Sequence, residues 1–378
     1  MQLKLKNKLV KQEVKAALAV EPYESAEIVG LVYVSDTTPG IKRQRKGKGF
    51  CYYDAEGNKI CCEDELNRIK ALVIPPAWNQ VWICANSCGH LQATGRDEKG
   101  RKQYRYHTHW RKIRSQTKFN RAIAFGLALP KIRERVQKDL RKHGLPKEKV
   151  LAATVRLLET TKIRVGNEQY AKRNKSFGLT TMKQRHVDIS GSRLRFKFRG
   201  KSGVDHDIKL CNRRLAKIIK RIQELPGQEL FQFIDDNDKR QSIDSSNVND
   251  YLKEITDVDF TAKDFRTWFG TVLAAEELYD TGKFESEKQA KKNIVQAIKN
   301  VAQELGNRPA TCRKYYVHPG ILAAYEDGSL FLTIEKANNL DKEDLKEDLK
   351  NNSKLRPVEQ AVLNILELYL FREVQEKE

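Results

Sequence analysis

Three stretches of this chain concentrate side chains that can hold or act on an anion. In the first, Arg193-Leu-Arg-Phe-Lys-Phe-Arg199 alternates strictly. Leu194, Phe196 and Phe198 share one face of a strand, and Arg193, Arg195, Lys197 and Arg199 the other. Gly200-Lys-Ser-Gly203 turns the chain into a second alternating run over 204–210, which sets Lys201 at a hairpin tip. An ammonium at a loop tip is ordinarily a solvated point charge, yet the same position lets it reach into a groove. The second stretch, residues 89–107, reads GHLQATGRDEKGRKQYRYH. Here 92–94 and 103–106 are expected as strands flanking a Gly95/Gly100 turn, with Arg96, Lys99, Arg101 and Lys102 at its tip. Alternation puts Tyr104 and Tyr106 on one face and Gln103 and Arg105 on the other; the tyrosines either pack inward or stack on sugars and bases while the cations meet phosphates. The third stretch, Asn307-Arg-Pro-Ala-Thr-Cys-Arg-Lys-Tyr-Tyr-Val-His-Pro319, holds a carboxamide, cations and two adjacent phenols, among 13 tyrosines in all.

These stretches need a frame. Residues 1–24 read as a helical arm, 28–36 as a strand, and 41–50 as a basic loop punctuated by glycines. A hairpin turning at 54–57, a helix over 63–72 stopped by Pro75-Pro76, and a strand over 81–84 complete a small mixed lobe. From Trp110 the pattern becomes helical. Apolar positions recur through 113–143, with Pro130 expected to split the stretch into two helices and Gly144-Leu-Pro146 to end it. A helix pair follows over 149–170, and 213–224 and 246–256 read as amphipathic helices. Phe265, Trp268, Phe269, Val272, Leu273 and Tyr279 form one helical stripe, with Arg266 beside it in the first turn. The helix over 286–305 is capped by Gly306. The charged run 341–350 reads as a solvated helix packing lightly on the body. The expected class is therefore α+β: a β-rich N-terminal lobe over 1–112, with 1–26 an extra arm, then a larger helical domain over 113–378 carrying a β-hairpin, with 338–378 as charged tail helices.

The net charge of +21 narrows the partner. Residues 1–112 hold 20 basic and 12 acidic side chains, 113–337 hold 44 and 28, and 338–378 hold 7 and 10. The positive field thus belongs to both large segments while the tail opposes it, a pattern suited to two lobes surrounding a polyanion. No apolar run reaches the ~18 residues that span a bilayer. The N-terminus alternates lysine with apolar residues and does not read as a signal peptide. Seven cysteines in a long chain point to reduced thiols and a cytoplasmic protein, nucleoid-associated if bacterial. Cys84 and Cys88 lack a second pair and Cys61-Cys62 is a poor zinc arrangement, so no metal and no cofactor is expected. Neither a P-loop nor a dinucleotide-type glycine loop is present.

The ordered set Arg164, Lys201, Arg266, Asn307 and Tyr316 resembles the active site of type IB DNA topoisomerases, in particular the compact poxvirus-type and bacterial branch. Leu158-Glu-Thr-Thr-Lys-Ile-Arg-Val-Gly-Asn167 resembles the segment carrying that family's first arginine. Phe198-Arg-Gly-Lys201 is similar to its lysine hairpin, and Lys263-Asp-Phe-Arg266 to its second arginine motif. Gly306-Asn-x-Pro through Tyr316 resembles its terminal motif, and residues 89–107 resemble the bacterial members' N-terminal lobe; the likeness runs from about Ile28 to the mid-320s. Two positions depart from the poxvirus pattern: Asn307 stands where a histidine is usual, as is common in the bacterial branch, and Asn167 replaces a basic residue.

The resemblance implies a supercoil-relaxing enzyme that needs neither ATP nor metal. Tyr316 would attack the scissile phosphate and expel the 5′-hydroxyl, leaving a 3′-phosphotyrosyl bond. Arg164 and Arg266 would clamp the non-bridging oxygens, Asn307 would donate an amide N–H to one of them, and Lys201 would protonate the leaving oxygen. Gln92, Arg96, Lys102, Tyr104, Arg105, Tyr170 and Lys263 are expected to touch DNA. The expected partner is duplex DNA, supercoiled above all, enclosed by a monomer. Two other readings stand beside this one. A tyrosine recombinase uses the same chemistry but usually carries histidine where this chain has Lys263, and a non-catalytic DNA-coating protein would use charge alone.

Overall fold

The computed structural model describes residues 22–47, 49–235, 237–348 and 354–375. The expected arm over 1–24 lies mostly outside them. The chain divides into two compact units, with the division between Asn120 and Arg121. That point falls inside the helix Thr108–Asp139, of which the expected boundary near 112 occupies the first turns.

The first unit opens with α1 (Pro22–Glu27), followed by β1 (Ile41–Lys46), β2 (Gly49–Tyr53), α2 (Glu63–Ala71), β3 (Asn79–Ile83), β4 (Leu91–Arg96) and β5 (Lys102–Tyr106). The strands form one antiparallel sheet in the order β2-β1-β3-β4-β5. Ile41, Ile69, Val81, Ile83 and Ala93 make its core.

Two expectations are corrected here. Residues 28–36 are not a strand: only Val32 bridges to Gly89, and Gly30 turns the chain at φ 69°. The basic run 41–50 is not a loop but the β1–β2 hairpin. Ile41 is buried, and the Arg43 guanidinium donates to the carbonyls of Pro75 and Trp78 while lying 4.1 Å over the Phe50 ring. A lysine- and arginine-rich strand is stable when its inward cation finds carbonyl partners.

The second unit holds α3 (Thr108–Asp139) from Arg121 on, then α4 (Lys147–Thr161), α5 (Glu168–Asn174), β6 (Val187–Ser190), β7 (Arg193–Arg199), β8 (Asp205–Cys211), α6 (Arg213–Gln223), β9 (Gln232–Ile234), β10 (Arg240–Ser242), α7 (Ser245–Thr256), α8 (Ala262–Thr281), α9 (Glu287–Glu304), α10 (Pro309–Tyr315), α11 (Pro319–Glu326), α12 (Ser329–Asp348) and α13 (Pro357–Gln375). The expected break at Pro130 does not occur, because α3 continues through it. Phe125 and Leu129 before the proline and Ile132 and Val136 after it are all buried. One continuous apolar stripe holds both halves and outweighs the hydrogen bond that proline forfeits.

Helix α8 is the hub of this unit. Thr261 caps it, and the Asp264 carboxylate accepts in turn from the Thr261 N–H at 2.7 Å. Arg121 on α3 grips Asp264 at 3.1 Å, which fixes the start of α8. Phe265, Trp268, Phe269 and Val272 are buried, and Trp268 packs against Gly126, where any side chain would strike the indole. The side chains of the charged run 341–350 lie outside the described residues, and the helix that follows it, α13, is built into the body. Ala361, Val362, Leu363, Ile365, Leu366 and Leu370 of α13 are buried, and Glu359 forms a closed ion pair with Arg133.

Candidate active site

Four of the five residues singled out for chemistry meet around the end of α9. That helix stops in a Schellman turn: Gly306 adopts φ 57°, its N–H donates to the Gln303 carbonyl, and the Asn307 N–H donates to the Ala302 carbonyl at 2.8 Å. The turn aims Asn307 and leaves carbonyls at the negative end of the helix. Arg164 donates to two acceptors there, the Asn307 Oδ1 at 2.5 Å and the Gly306 carbonyl at 3.1 Å.

Arg164 sits in the loop after α4 rather than in a helix. Gly178 lies against it so closely that a Cβ would come within 2.5 Å of the Arg164 carbonyl, and the Leu179 N–H donates to that carbonyl. Burial and the neighbouring Arg266 push the Arg164 pKa down to about 10, with Tyr316 opposing the shift, so it remains a cation at neutral pH.

Arg266 is 7 % exposed and reaches from the first turns of α8 to two helix ends at once. Its Nη1 donates to the Lys162 carbonyl after α4 and its Nη2 to the Leu305 carbonyl after α9, both at 2.7 Å. Its guanidinium carbon lies 5.3 Å from the Tyr316 ring centroid. Burial lowers its pKa, while Tyr316 acts in the opposite sense through charge and a hydrogen bond.

Tyr316 follows α10, half-buried, its N–H donating to the Cys312 carbonyl at 2.9 Å. Gly270 explains how α8 passes behind it. A Cβ at 270 would lie 2.7 Å from the Tyr316 carbonyl oxygen and 2.9 Å from its Cβ. Two donors of the cluster remain without a protein partner although buried, Arg266 Nε and Asn307 Nδ2. Buried donors left unpaired are costly, and a ligand oxygen is the natural partner for them. Tyr315 is 46 % exposed, with the Lys314 ammonium 5.3 Å from its ring centroid.

Lys201 stands differently. The strand alternation holds, with Leu194, Phe196 and Phe198 buried, and the turn Lys201–Gly203 carries the lysine out into solvent. It lines the same small crevice as Arg164, Phe198, His206 and Leu305. His206 was not singled out in the sequence. The signal was the alternation of β8, which sets His206 directly across from buried Phe198 and in line with Ile208 and Leu210. His318 and His186 are buried structural acceptors, taking the Gly320 and Lys183 N–H groups.

The expected DNA-contact residues divide. Tyr104 and Tyr106 stack on one another 5.8 Å apart on the outer face of β5, both exposed rather than packed inward. Arg96 is exposed and bonded to Gln80, Lys102 pairs with Asp36 at 2.5 Å, and Arg105 donates to the Val73 carbonyl beside Trp78. Tyr170 on α5 and Lys263 on α8 are exposed. Gln92 is a correction. It is 3 % exposed, its amide nitrogen donates to the carbonyls of Asn86, Ser87 and Gly89, and its oxygen accepts from Arg68. With its polar atoms committed inside the protein, it holds the turn before β4 and offers nothing outward.

Residues 107–347 match the family described as eukaryotic DNA topoisomerase I, catalytic core, and residues 49–97 match the bacterial DNA topoisomerase IB N-terminal domain. The chain belongs to the type IB DNA topoisomerases. The DNA topoisomerase 1B of Acanthamoeba polyphaga mimivirus is 34 % identical over 309 residues, 79 % of this chain and 91 % of that protein. The DNA topoisomerase I of monkeypox virus and the DNA topoisomerase 1B of vaccinia virus are each 25 % identical over 264 residues, 68 % of this chain and 79 % of theirs. The chain is thus a type IB topoisomerase, an isomerase acting on DNA, with the α+β architecture read from its sequence. Among the described residues no helix is long and apolar enough to cross a membrane.

Proposed function

We propose that this type IB topoisomerase relaxes supercoiled duplex DNA as a monomer, by a transesterification centred on Tyr316. The Tyr316 hydroxyl oxygen attacks the scissile phosphorus, the new P–O(tyrosine) bond forms at the 3′ side, and the P–O5′ bond breaks. The phenolic proton passes to solvent, and Lys201 gives a proton to the departing 5′-oxygen. Arg164, Arg266 and Asn307 take the charge that builds on the non-bridging oxygens. Each such donor is worth about 3 kcal/mol of barrier, by analogy with removal of one oxyanion-hole donor. The covalent bond keeps the energy of the phosphodiester, so resealing after rotation needs no nucleotide. The single observation carrying this reading is the pair of buried, unpartnered donors, Asn307 Nδ2 and Arg266 Nε, the latter on a guanidinium 5.3 Å from the Tyr316 ring centroid.

In this reading the exposed pair Tyr104 and Tyr106, with Arg96, Lys102 and Arg105 nearby in sequence, stacks on and neutralises the duplex, and Tyr170 and Lys263 contact it from the catalytic unit. In this reading the enzyme works in the cytoplasm, on the nucleoid if the cell is bacterial. The deciding experiment traps the intermediate: suicide duplex DNA is incubated with the full chain, denatured, and the adduct mapped by peptide mass. Tyr316→Phe is expected to abolish the adduct and Tyr315→Phe to keep it; the reverse pattern moves the nucleophile to 315 and undoes this assignment.

A further inference from the structure

His206 occupies a place that no role has yet been given. Its imidazole stacks on Phe198 with centroids 4.9 Å apart and planes 15° apart. Two glycines border it. At Gly200, the residue before Lys201, a Cβ would stand 2.6 Å from the His206 Cδ2 and Nε2. At Gly306, the residue before Asn307, a Cβ would stand 2.8 Å from the His206 Cε1. The ring therefore separates the backbone that carries the lysine from the backbone that carries the carboxamide and accepts from Arg164, touching both. Burial and the charges of Arg164 and Arg266 hold its pKa below the ordinary value, with Asp205 opposing, so at neutral pH the spacer is uncharged and adds nothing to the field on the phosphate.

The two segments depend on this spacer unequally. Arg164, Arg266 and Asn307 are tied by hydrogen bonds to the ends of α4 and α9. The Lys201 turn is exposed and closed by its own backbone bonds, Gly200 N–H to the Val204 carbonyl and Gly203 N–H to the Gly200 carbonyl. Remove the ring, and the turn is the part that moves.

We propose that His206 is a positioning residue, a rigid spacer that sets the Lys201 turn at its working distance from the Arg164–Asn307 half of the site. The inference rests on the assignment of Lys201 as proton donor. A misplacement near 1 Å costs about 100-fold in rate, so the loss falls on protonation of the leaving oxygen and not on the attack. A leaving 5′-sulfur departs as thiolate, whose conjugate acid ionises near 8.5, and needs no donor.

The test measures single-turnover adduct formation by the full chain on duplexes carrying the mapped cleavage site. One duplex has a bridging 5′-oxygen at the scissile phosphate, the other a bridging 5′-sulfur. His206→Ala is expected to slow cleavage of the oxygen duplex roughly 10- to 100-fold and to stay within about threefold of the parent enzyme on the sulfur duplex. Equal loss on both duplexes, or no loss on either, overturns the proposal. Lys201→Ala is the separate control. If sulfur rescues it while His206→Ala loses both substrates, the spacer role alone falls; if sulfur fails to rescue it, the assignment of Lys201 falls and the spacer role with it. Should the alanine variant not fold, His206→Phe, which keeps a flat uncharged ring, carries the same test. Its retention of oxygen cleavage, or loss rescued by sulfur, supports the spacer, and loss on both duplexes removes it.

Discussion

Two buried arginines of the second unit are held in opposite ways. Arg133 on α3 is 5 % exposed and is met by carboxylates: Glu159 at 2.6 Å and Glu359, itself fully buried, at 2.8 Å. Those carboxylates raise its pKa against the pull of burial. Arg266 on α8 is 7 % exposed and is met by the carbonyls of Lys162 and Leu305 and by the Tyr316 side chain rather than by carboxylates, so burial prevails and its pKa falls. A carboxylate pair neutralises a guanidinium and ties down distant chain segments, here α3, α4 and α13. A pair of helix-end carbonyls supplies partial negative charge, enough to keep a cation buried, and leaves most of its positive charge for an incoming phosphate. The first arrangement suits architecture and the second suits the stabilisation of charge that appears only during reaction.

Removing one member of the carboxylate knot should produce the largest effect. Arg133→Gln is expected to cost about 3–5 kcal/mol in denaturant unfolding, because the buried Glu359 loses its bidentate partner and keeps only the exposed Arg356, while the protein that remains folded cleaves DNA at the parent rate. Arg266→Gln is expected to do the reverse. Its cleavage rate should fall roughly 100- to 1,000-fold, with an unfolding free energy closer to the parent's than that of Arg133→Gln. If both variants lose stability alike, the distinction drawn between the two arginines is wrong. Gly270→Ala is a finer probe, since its methyl meets the Tyr316 backbone. We expect a loss of about 1–3 kcal/mol of stability, together with slower adduct formation and unchanged binding to duplex DNA.

The smallest effect is one of pH. The Arg133 guanidinium, with help from Arg356, holds the Glu359 carboxyl below its ordinary 4.5 despite burial. A depressed folded-state pKa contributes stability that is present above 4.5 and disappears as pH falls through the folded value. Acid should therefore loosen α13 before α8, seen as earlier loss of amide protection in 357–375. The carbonyls around Arg266 do not titrate, so protection of α8 should hold over the same range. Glu359→Gln should flatten the difference, and a profile identical in both helices would deny that the carboxylate is the cause.

Much of this site was legible before any coordinates. The alternation of 193–199 placed the lysine hairpin correctly because a strand with one buried face has period two and no freedom of register. Gly306 announced the end of α9, since few other residues tolerate φ 57°. Pro130 misled, because proline's local cost is outweighed when one apolar stripe runs on both sides of it. The basic run 41–50 misled for a related reason: its hydropathy gives no hint that Arg43 would find the carbonyls of Pro75 and Trp78. Gln92 sat in the right motif with the wrong orientation, and only burial revealed its inward bonds.

From its order of residues alone, this protein showed which cations, which amide and which phenols were available, and most of the helices and strands around them. Local periodicity and capping are encoded within a few neighbouring residues, so they can be read there. The coordinates decided which helix ends face Arg266, that Gly270 leaves room for the Tyr316 backbone, and that His206 lies between two glycines more than a hundred positions apart. Those facts arise from packing between remote segments, where close contact and desolvation depend on every neighbour at once and no short pattern records the outcome.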